Sequence, residues 1–235
     1  MVARALAALA VVLVTAGCAG GRGERARMLP VDHRASLLYV ALGDSTVEGV
    51  GATTADGGYV ARIHRRLRTV YPRAGVVNLG VGGATSGDVV SDQLERAVLL
   101  RPRLVTLSIG PNDITGHVPV TEYERHVDTI FRRLTRETSA VVVANLLPDL
   151  AVTPRFRGRD TTRDVGALTV RFNEALLRRA RASGVEVVDL YRPSQAEIPD
   201  RPELVAGDGY HPSDAGYERW AELVWAGVAR RIAAR

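Results

Sequence analysis

Short apolar runs alternate along the chain with longer stretches in which apolar positions recur at helical spacing. The runs fall at 37–42, 76–79, 104–109, 140–146 and 185–190. Each is rich in valine or leucine and bounded by Gly, Pro or Asn, which predicts five strands. Strands this continuously apolar are covered on both faces, as in parallel sheets. Helical patterns occupy 59–70, 88–100, 121–136, 162–182 and 213–233. Acidic or capping residues open them, as Glu122 and Glu124 do the third, and arginines close them. Gly184 follows the fourth as a stop signal. This alternation predicts right-handed crossovers and an α/β fold. It is a three-layer α/β/α sandwich around a five-stranded parallel, doubly wound, flavodoxin-like sheet. Two longer connections, 148–161 and 191–212, are of a length that is often functional.

The first residues read as an address. Arg4 precedes an apolar run over 5–16, then Gly17 and Cys18. A short positive region, a hydrophobic region of this length and small residues at the cut make a signal peptide. The run is too short to span a bilayer comfortably. Val14-Thr15-Ala16-Gly17-Cys18 resembles a bacterial lipobox, with Thr15 where leucine is more typical. In such signals the cysteine is lipidated and becomes the new N-terminus; the other reading is a secretory signal with an incidental cysteine. Residues 19–35, with Gly20, Gly21 and Gly23 among charged side chains, predict a flexible tether. The domains expected are therefore 1–18 as signal, 19–35 as tether and 36–235 as the folded unit. The protein is expected to be exported, held at a membrane surface through lipidated Cys18 or released.

Composition narrows the chemistry. The chain has 235 residues, 46% of them hydrophobic, enough for one domain with a substantial core. Cys18 is its one cysteine, which excludes an internal disulfide and a cysteine-ligated zinc site. His33, His64, His117, His126 and His211 include no i, i+4 pair. The formal net charge is +5, and every basic residue is arginine. A basic chain invites thoughts of nucleic acid, but aromatics make up 5% and no nucleic-acid motif occurs, so no nucleic-acid partner is expected.

In an open parallel sheet, ligands bind beyond the carboxyl ends of the strands. Gly43-Asp44-Ser45 follows the first strand, and Gly80-Val81-Gly82-Gly83 the second. Gly110-Pro111-Asn112-Asp113 follows the third, and Asp208-Gly209-Tyr210-His211 lies on the long loop after the fifth. These segments carry complementary chemistry. Serine needs a base to take its proton during attack. Imidazole titrates near neutral pH, so His211 suits that task. Asp208 can accept from the other ring nitrogen and fix its tautomer. A glycine N–H and an asparagine amide suit a developing oxyanion.

Gly-Asp-Ser, a glycine after the second strand, Gly-x-Asn-Asp and Asp-x-x-His resemble the SGNH/GDSL hydrolases, from about Leu37 to the C-terminus. The resemblance implies an SGNH hydrolase domain over 36–235 and hydrolysis of a carboxylic ester through an acyl-enzyme, without a cofactor. Ser45 is then the nucleophile, with Asp208 and His211 completing the triad. The Ser45 N–H, the Gly83 N–H and the Asn112 side chain bind the oxyanion. Gly83 is preferred to Gly80 and Gly82 because it stands just before the helix lead-in. The substrate is an acylated glycan, a lipid ester or a small ester. Two other readings keep the scaffold: an acyltransferase with a sugar hydroxyl in place of water, and a non-catalytic surface lipoprotein. The first block reads Gly-Asp-Ser-Thr-Val, where many members carry leucine after the serine.

Rival readings are weaker. A dinucleotide fingerprint from Gly80 needs a glycine where Thr85 stands. An α/β-hydrolase needs a Gly-x-Ser-x-Gly elbow, which Ser45 lacks. Asp208 and His211 as metal ligands lack a third partner nearby. Asp44 is read as structural, holding the turn by an Asx-type bond. His64 is expected at the surface, His126 on a helix face, and His117 as a candidate for the pocket wall. Arginines crowd the helix ends at 65–68, 101–103, 132–136, 178–181 and 230–235. In a doubly wound fold these ends share the edge opposite the catalytic loops, which predicts a basic belt on the side where the tether enters.

Overall fold

A computed structural model describes residues 26–233. The expected signal peptide, the lipobox and Cys18 lie outside the described residues. Among the described residues five strands form: β1 (Leu37–Gly43), β2 (Ala74–Asn78), β3 (Leu104–Ser108), β4 (Val141–Asn145) and β5 (Glu186–Val188). All pairings are parallel, in the order β2-β1-β3-β4-β5. The α-helices are α1 (Ser45–Glu48), α2 (Tyr59–Val70), α3 (Ser86–Asp88), α4 (Leu94–Leu99), α5 (Pro111–Thr115), α6 (Val120–Glu137), α7 (Thr162–Ser183), α8 (Tyr191–Glu197) and α9 (Asp214–Ala229). This is the five-stranded, doubly wound α/β sandwich expected from the sequence.

Each face of the sheet carries its own core. On one side Val40, Leu42, Val105 and Val142 meet Ile130 and Phe131 of α6 and Phe172 and Leu176 of α7. On the other, Tyr39, Ala41 and Val143 meet Ile63 and Leu67 of α2 and Tyr217 and Val224 of α9. Burial of every residue of β3 and β4 explains why both are largely apolar, with Thr106, Ser108 and Asn145 buried among the apolar side chains. Helix ends follow local chemistry. Ser213 caps α9 by accepting from the Gly216 N–H, and Gly184 closes α7 in the left-handed region at φ 65°.

The structure departs from the sequence reading in five places. The helix expected over 88–100 starts at Ser86 and is interrupted by a π-turn, Val89–Gln93. Strand β5 is shorter than 185–190, as an edge strand paired only with β4. The 191–212 connection contains α8 and a 3-10 turn, Pro202–Leu204, and the last helix stops at Ala229.

The fifth departure is the tether, which does not extend to residue 35. From Arg27 the chain is docked across the amino edge of the sheet. Arg27 Nη1 donates to Thr138 O at 2.7 Å, Leu29 N donates to Arg231 O at 2.7 Å, and Tyr71 Oη donates to Pro30 O at 2.8 Å. Leu29 is only 2% exposed and belongs to the second core. The glycine-rich pattern of 19–23 ends before Arg27, and the buried Leu29 side chain together with these hydrogen bonds seats the segment.

The arginine-rich helix ends are only partly a free basic belt. Arg66 pairs with Glu218, Arg132 with Asp128, and Arg133 with Glu95 and Glu137. Arg178 and Arg179 share Glu124, and Arg230 and Arg231 share Glu186. Arg65, Arg68, Arg101, Arg136 and Arg181 have no acidic partner among the described residues. Exposed pairs of this kind add little stability individually.

Because Leu29 is a core residue, Leu29→Ala is expected to lower stability by about 2–4 kcal/mol. Urea denaturation of the two proteins checks this; a midpoint unchanged from wild type would return the segment to a tether.

Candidate active site

The strand order reverses between β1 and β3, and the segments that follow these strands meet at the carboxyl edge of the sheet. Ser45 is the first residue of α1 and is 8% exposed. Its Oγ lies 2.9 Å from His211 Nε2. His211 Nδ1 lies 2.5 Å from Asp208 Oδ2, while Asp208 Oδ1 accepts from the Tyr210 and His211 N–H groups at 2.8 and 3.0 Å. The three candidate triad residues are thus brought together in the expected order.

The loop that presents His211 is closed on itself. Val205 bridges Pro212, Ala206 N donates to His211 O, and Gly209 turns at φ 73° with its N–H on Ala206 O. Burial acts to raise the Asp208 pKa. The bonds from the His211 ring and from two backbone N–H groups outweigh it and hold the carboxyl below the usual range.

Ser45 is set in place by Gly43. The Gly43 φ is 144°, and a Cβ there would lie 1.9 Å from Ser108 O. Only glycine lets β1 and β3 close together at this point. Gln93, turned inward by the π-turn, brackets the same residue. Its Oε1 accepts from Gly43 N at 2.9 Å and its Nε2 donates to Gly43 O at 2.8 Å. π-turns recur at functional sites because they redirect a side chain in this way. No motif in the sequence marks Gln93; its signal is a side-chain amide in an otherwise apolar helical face.

The Asx-type bond expected at Asp44 is present. Its Oδ1 accepts from Thr46 N at 2.9 Å and from Thr46 Oγ1 at 2.8 Å, capping α1. Its Oδ2 is buried without a hydrogen-bond partner. Burial pushes the carboxyl up to about 6, against the lowering effect of the Thr46 bonds and of His211.

Three glycines competed for the donor role in the second block. Gly80 N donates to Asn78 Oδ1 at 2.9 Å, and Gly82 N to Glu48 Oε2 at 2.7 Å. The Gly83 N–H has no acceptor among the described residues, and a Cβ there would meet nothing within 4 Å. Asn112, in α5, donates one side-chain hydrogen to Ala84 O at 2.9 Å, which ties the third block to the second. Asp113 strengthens the tie by accepting from Ser86 N at 2.9 Å and Ser86 Oγ at 2.5 Å. Burial raises its pKa. His126 is more than a helix-face residue, since its Nδ1 lies 2.9 Å from Ser86 Oγ. His117 is exposed and takes no part in the cavity wall. His64 is half-buried and latches α2 to β2, its Nε2 3.0 Å from Ala74 O.

An apolar cavity of about 90 Å³ opens beside the Ser45–His211 pair. Leu150, Leu190, Ile198, Leu204, Trp220 and Leu223 are among the residues of its wall. No group of three or more His, Cys, Asp or Glu suited to a metal ion occurs among the described residues.

Comparison with known proteins identifies the family. The profile of the GDSL-like Lipase/Acylhydrolase family matches residues 41–219. The chain is 30% identical over 214 residues to the GDSL lipase Rv0518 of Mycobacterium tuberculosis, covering 84% of each protein. It is 28% identical to an acetylxylan esterase of Geobacillus stearothermophilus, over 74% of this chain and 83% of that one. The crystal structure of the acetylxylan esterase Axe2 from that organism superposes with a TM-score of 0.69 at 22% identity. The match covers 86% of this chain and 100% of the other.

The buried carboxyl of Asp44 has a stability consequence. Its folded pKa is raised, so its contribution is fully present below the unfolded value and is lost as pH rises through about 6. Asparagine caps equally well and cannot ionise. Relative to wild type, Asp44→Asn is therefore expected to gain about 1–3 kcal/mol between pH 4 and pH 7. Denaturant titrations at both pH values measure it, and a difference independent of pH would count against a raised carboxyl.

Proposed function

Because the chain belongs to the GDSL-like lipase/acylhydrolase family, and so is a serine ester hydrolase, we propose that it hydrolyses esters of short acyl groups through an acyl-enzyme on Ser45. The observation that carries this reading is the small apolar cavity opening directly beside the Ser45–His211 pair.

Ser45 Oγ attacks the acyl carbon while its proton passes to His211 Nε2, already within hydrogen-bond distance. Asp208 holds Nδ1–H and stabilises the imidazolium. Charge moves onto the former carbonyl oxygen. The Ser45 N–H, the Gly83 N–H and the second hydrogen of Asn112 Nδ2 are the donors assigned to it. When the tetrahedral intermediate collapses, the C–O bond to the alcohol breaks and His211 returns the proton to the departing oxygen. A water then attacks the acyl-enzyme with His211 again as base. The acid leaves and Ser45 recovers its proton.

The cavity limits the acyl group. An apolar cavity of about 150 Å³ holds a benzene molecule; this one is smaller. Acetyl to butyryl groups suit it, whereas a long chain has to run out of it. The acetylxylan esterase among the relatives is consistent with the short end of this range.

Ser45→Ala is expected to lower kcat on p-nitrophenyl acetate by on the order of 10³-fold or more. Asn112→Ala should lose about 10²- to 10³-fold. Wild type should favour acetate and butyrate esters over palmitate. Equal rates for wild type and Ser45→Ala would remove the nucleophile; a maximum at palmitate would remove the acyl-size assignment while leaving the nucleophile intact.

A further inference from the structure

Arg155, Arg157, Arg159 and Arg163 crowd the segment between β4 and the start of α7, and all four are exposed. None has an acidic partner among the described residues. Asp160 and Asp164 stand on the same stretch yet form no ion pair with them. This contrasts with Arg133, Arg178, Arg179, Arg219 and Arg230, each matched by a carboxylate. Like charges so close repel one another, and the field they raise attracts anions.

The segment is ordered by its own bonds. Phe156 N and Arg157 N both donate to Thr153 O, Arg159 N donates to Phe156 O, and Thr162 Oγ1 caps Arg159 O. It is also fastened to the catalytic loop. Arg155 N donates to Gly209 O at 2.9 Å, and the Arg155 guanidinium sits 5.0 Å from the centre of the Tyr210 ring. That ring lies edge-on to His211 with centroids 5.0 Å apart. Arg155, the first arginine of the segment, is therefore one aromatic ring away from the imidazole. The departing alcohol must leave from the imidazole's side, because His211 protonates it. The cavity for the acyl group is by contrast apolar.

From this placement, and resting on the acyl-enzyme reading above, we propose that the substrate is acidic on its alcohol portion. A carboxylate or phosphate near the ester oxygen is bound by Arg155 with Arg157 and Arg159, while the acyl group enters the apolar cavity. Guanidinium groups suit either anion, since their paired N–H donors match planar carboxylate and phosphate oxygens alike. Arg163 adds to the attracting field.

The test compares two acetates that differ in charge: 4-carboxyphenyl acetate and its neutral methyl ester, methyl 4-acetoxybenzoate. A parallel pair, 4-acetoxyphenyl phosphate and its dimethyl ester, distinguishes phosphate from carboxylate. The quantity read is the ratio of kcat/KM for the anionic over the neutral ester. In wild type this ratio should exceed one for at least one pair and fall as salt is added. In Arg155→Gln and in the double variant Arg157→Gln/Arg159→Gln it should fall about tenfold, and in Arg157→Lys/Arg159→Lys, which keeps the charge but loses the paired donors, it should fall by less than in the glutamine pair. A fall smaller than about threefold in both glutamine variants overturns the proposal. An unchanged ratio combined with lost sedimentation on phosphatidylglycerol vesicles would assign the cluster to a membrane surface and overturn it equally. Ser45→Ala separates the two levels of inference. If it abolishes hydrolysis of every ester while the arginine variants leave the ratio intact, only the anion site is wrong. If it retains hydrolysis, the acyl-enzyme reading fails first.

Discussion

The site depends on one close approach between two strands. At the end of β1 the backbone of Gly43 comes so near the Ser108 carbonyl of β3 that no side chain fits between them. That contact places the next two residues at the mouth of the sheet, Asp44 as a buried cap and Ser45 as the first residue of a short helix. Gln93 holds Gly43 from the opposite side by both of its backbone groups. The hydroxyl of Ser45 is thus aimed by the main chain of two strands and a buried amide. A side chain aimed in this way loses little conformational entropy when a substrate arrives.

Carboxylates in and around the site fall into two kinds, and solvent decides between them. Asp44 and Asp113 are buried, and desolvation dominates their ionisation. Both act by receiving hydrogen bonds from the chain around them, one within α1 and the other across from α5 to α3. Asp208 keeps contact with water, and three donors hold it ionised. An imidazole that must become cationic during each turnover needs a neighbour of the second kind. The first kind fastens α1 and the α3–α5 junction, the two segments that carry the proposed oxyanion donors.

Much of this was legible in the sequence because the relevant physics is local. The five apolar runs became strands since parallel sheets bury both faces, and α2 and α7 begin where their apolar periodicity begins. The four chemical blocks could be placed at one edge because doubly wound topology leaves the carboxyl ends of the strands together. What was not legible depended on contacts distant in sequence. The π-turn at Val89–Gln93 responds to Gly43, roughly fifty residues earlier, and helical periodicity carries no trace of it. His126 could not be separated from other helix-face residues until Ser86 was seen beside it. The docking of Leu29 needs the end of α9, at the far end of the chain. Gly83 could be favoured over Gly80 and Gly82 by pattern, but the hydrogen bonds of its two neighbours supply the physical reason.

The seat of residues 27–30 has a consequence for how the fold is wired. Leu29 is hydrogen-bonded to Arg231, so the entry to the domain and the exit from its last helix are neighbours at the edge away from Ser45. Domains whose ends meet tolerate circular permutation. A short bridge between these two points, with a new opening cut at an exposed turn elsewhere, would preserve every strand pairing. In such a rewired molecule β1 need not be the first strand made, and the architecture that aims the hydroxyl would be separated from the order in which its parts are synthesised.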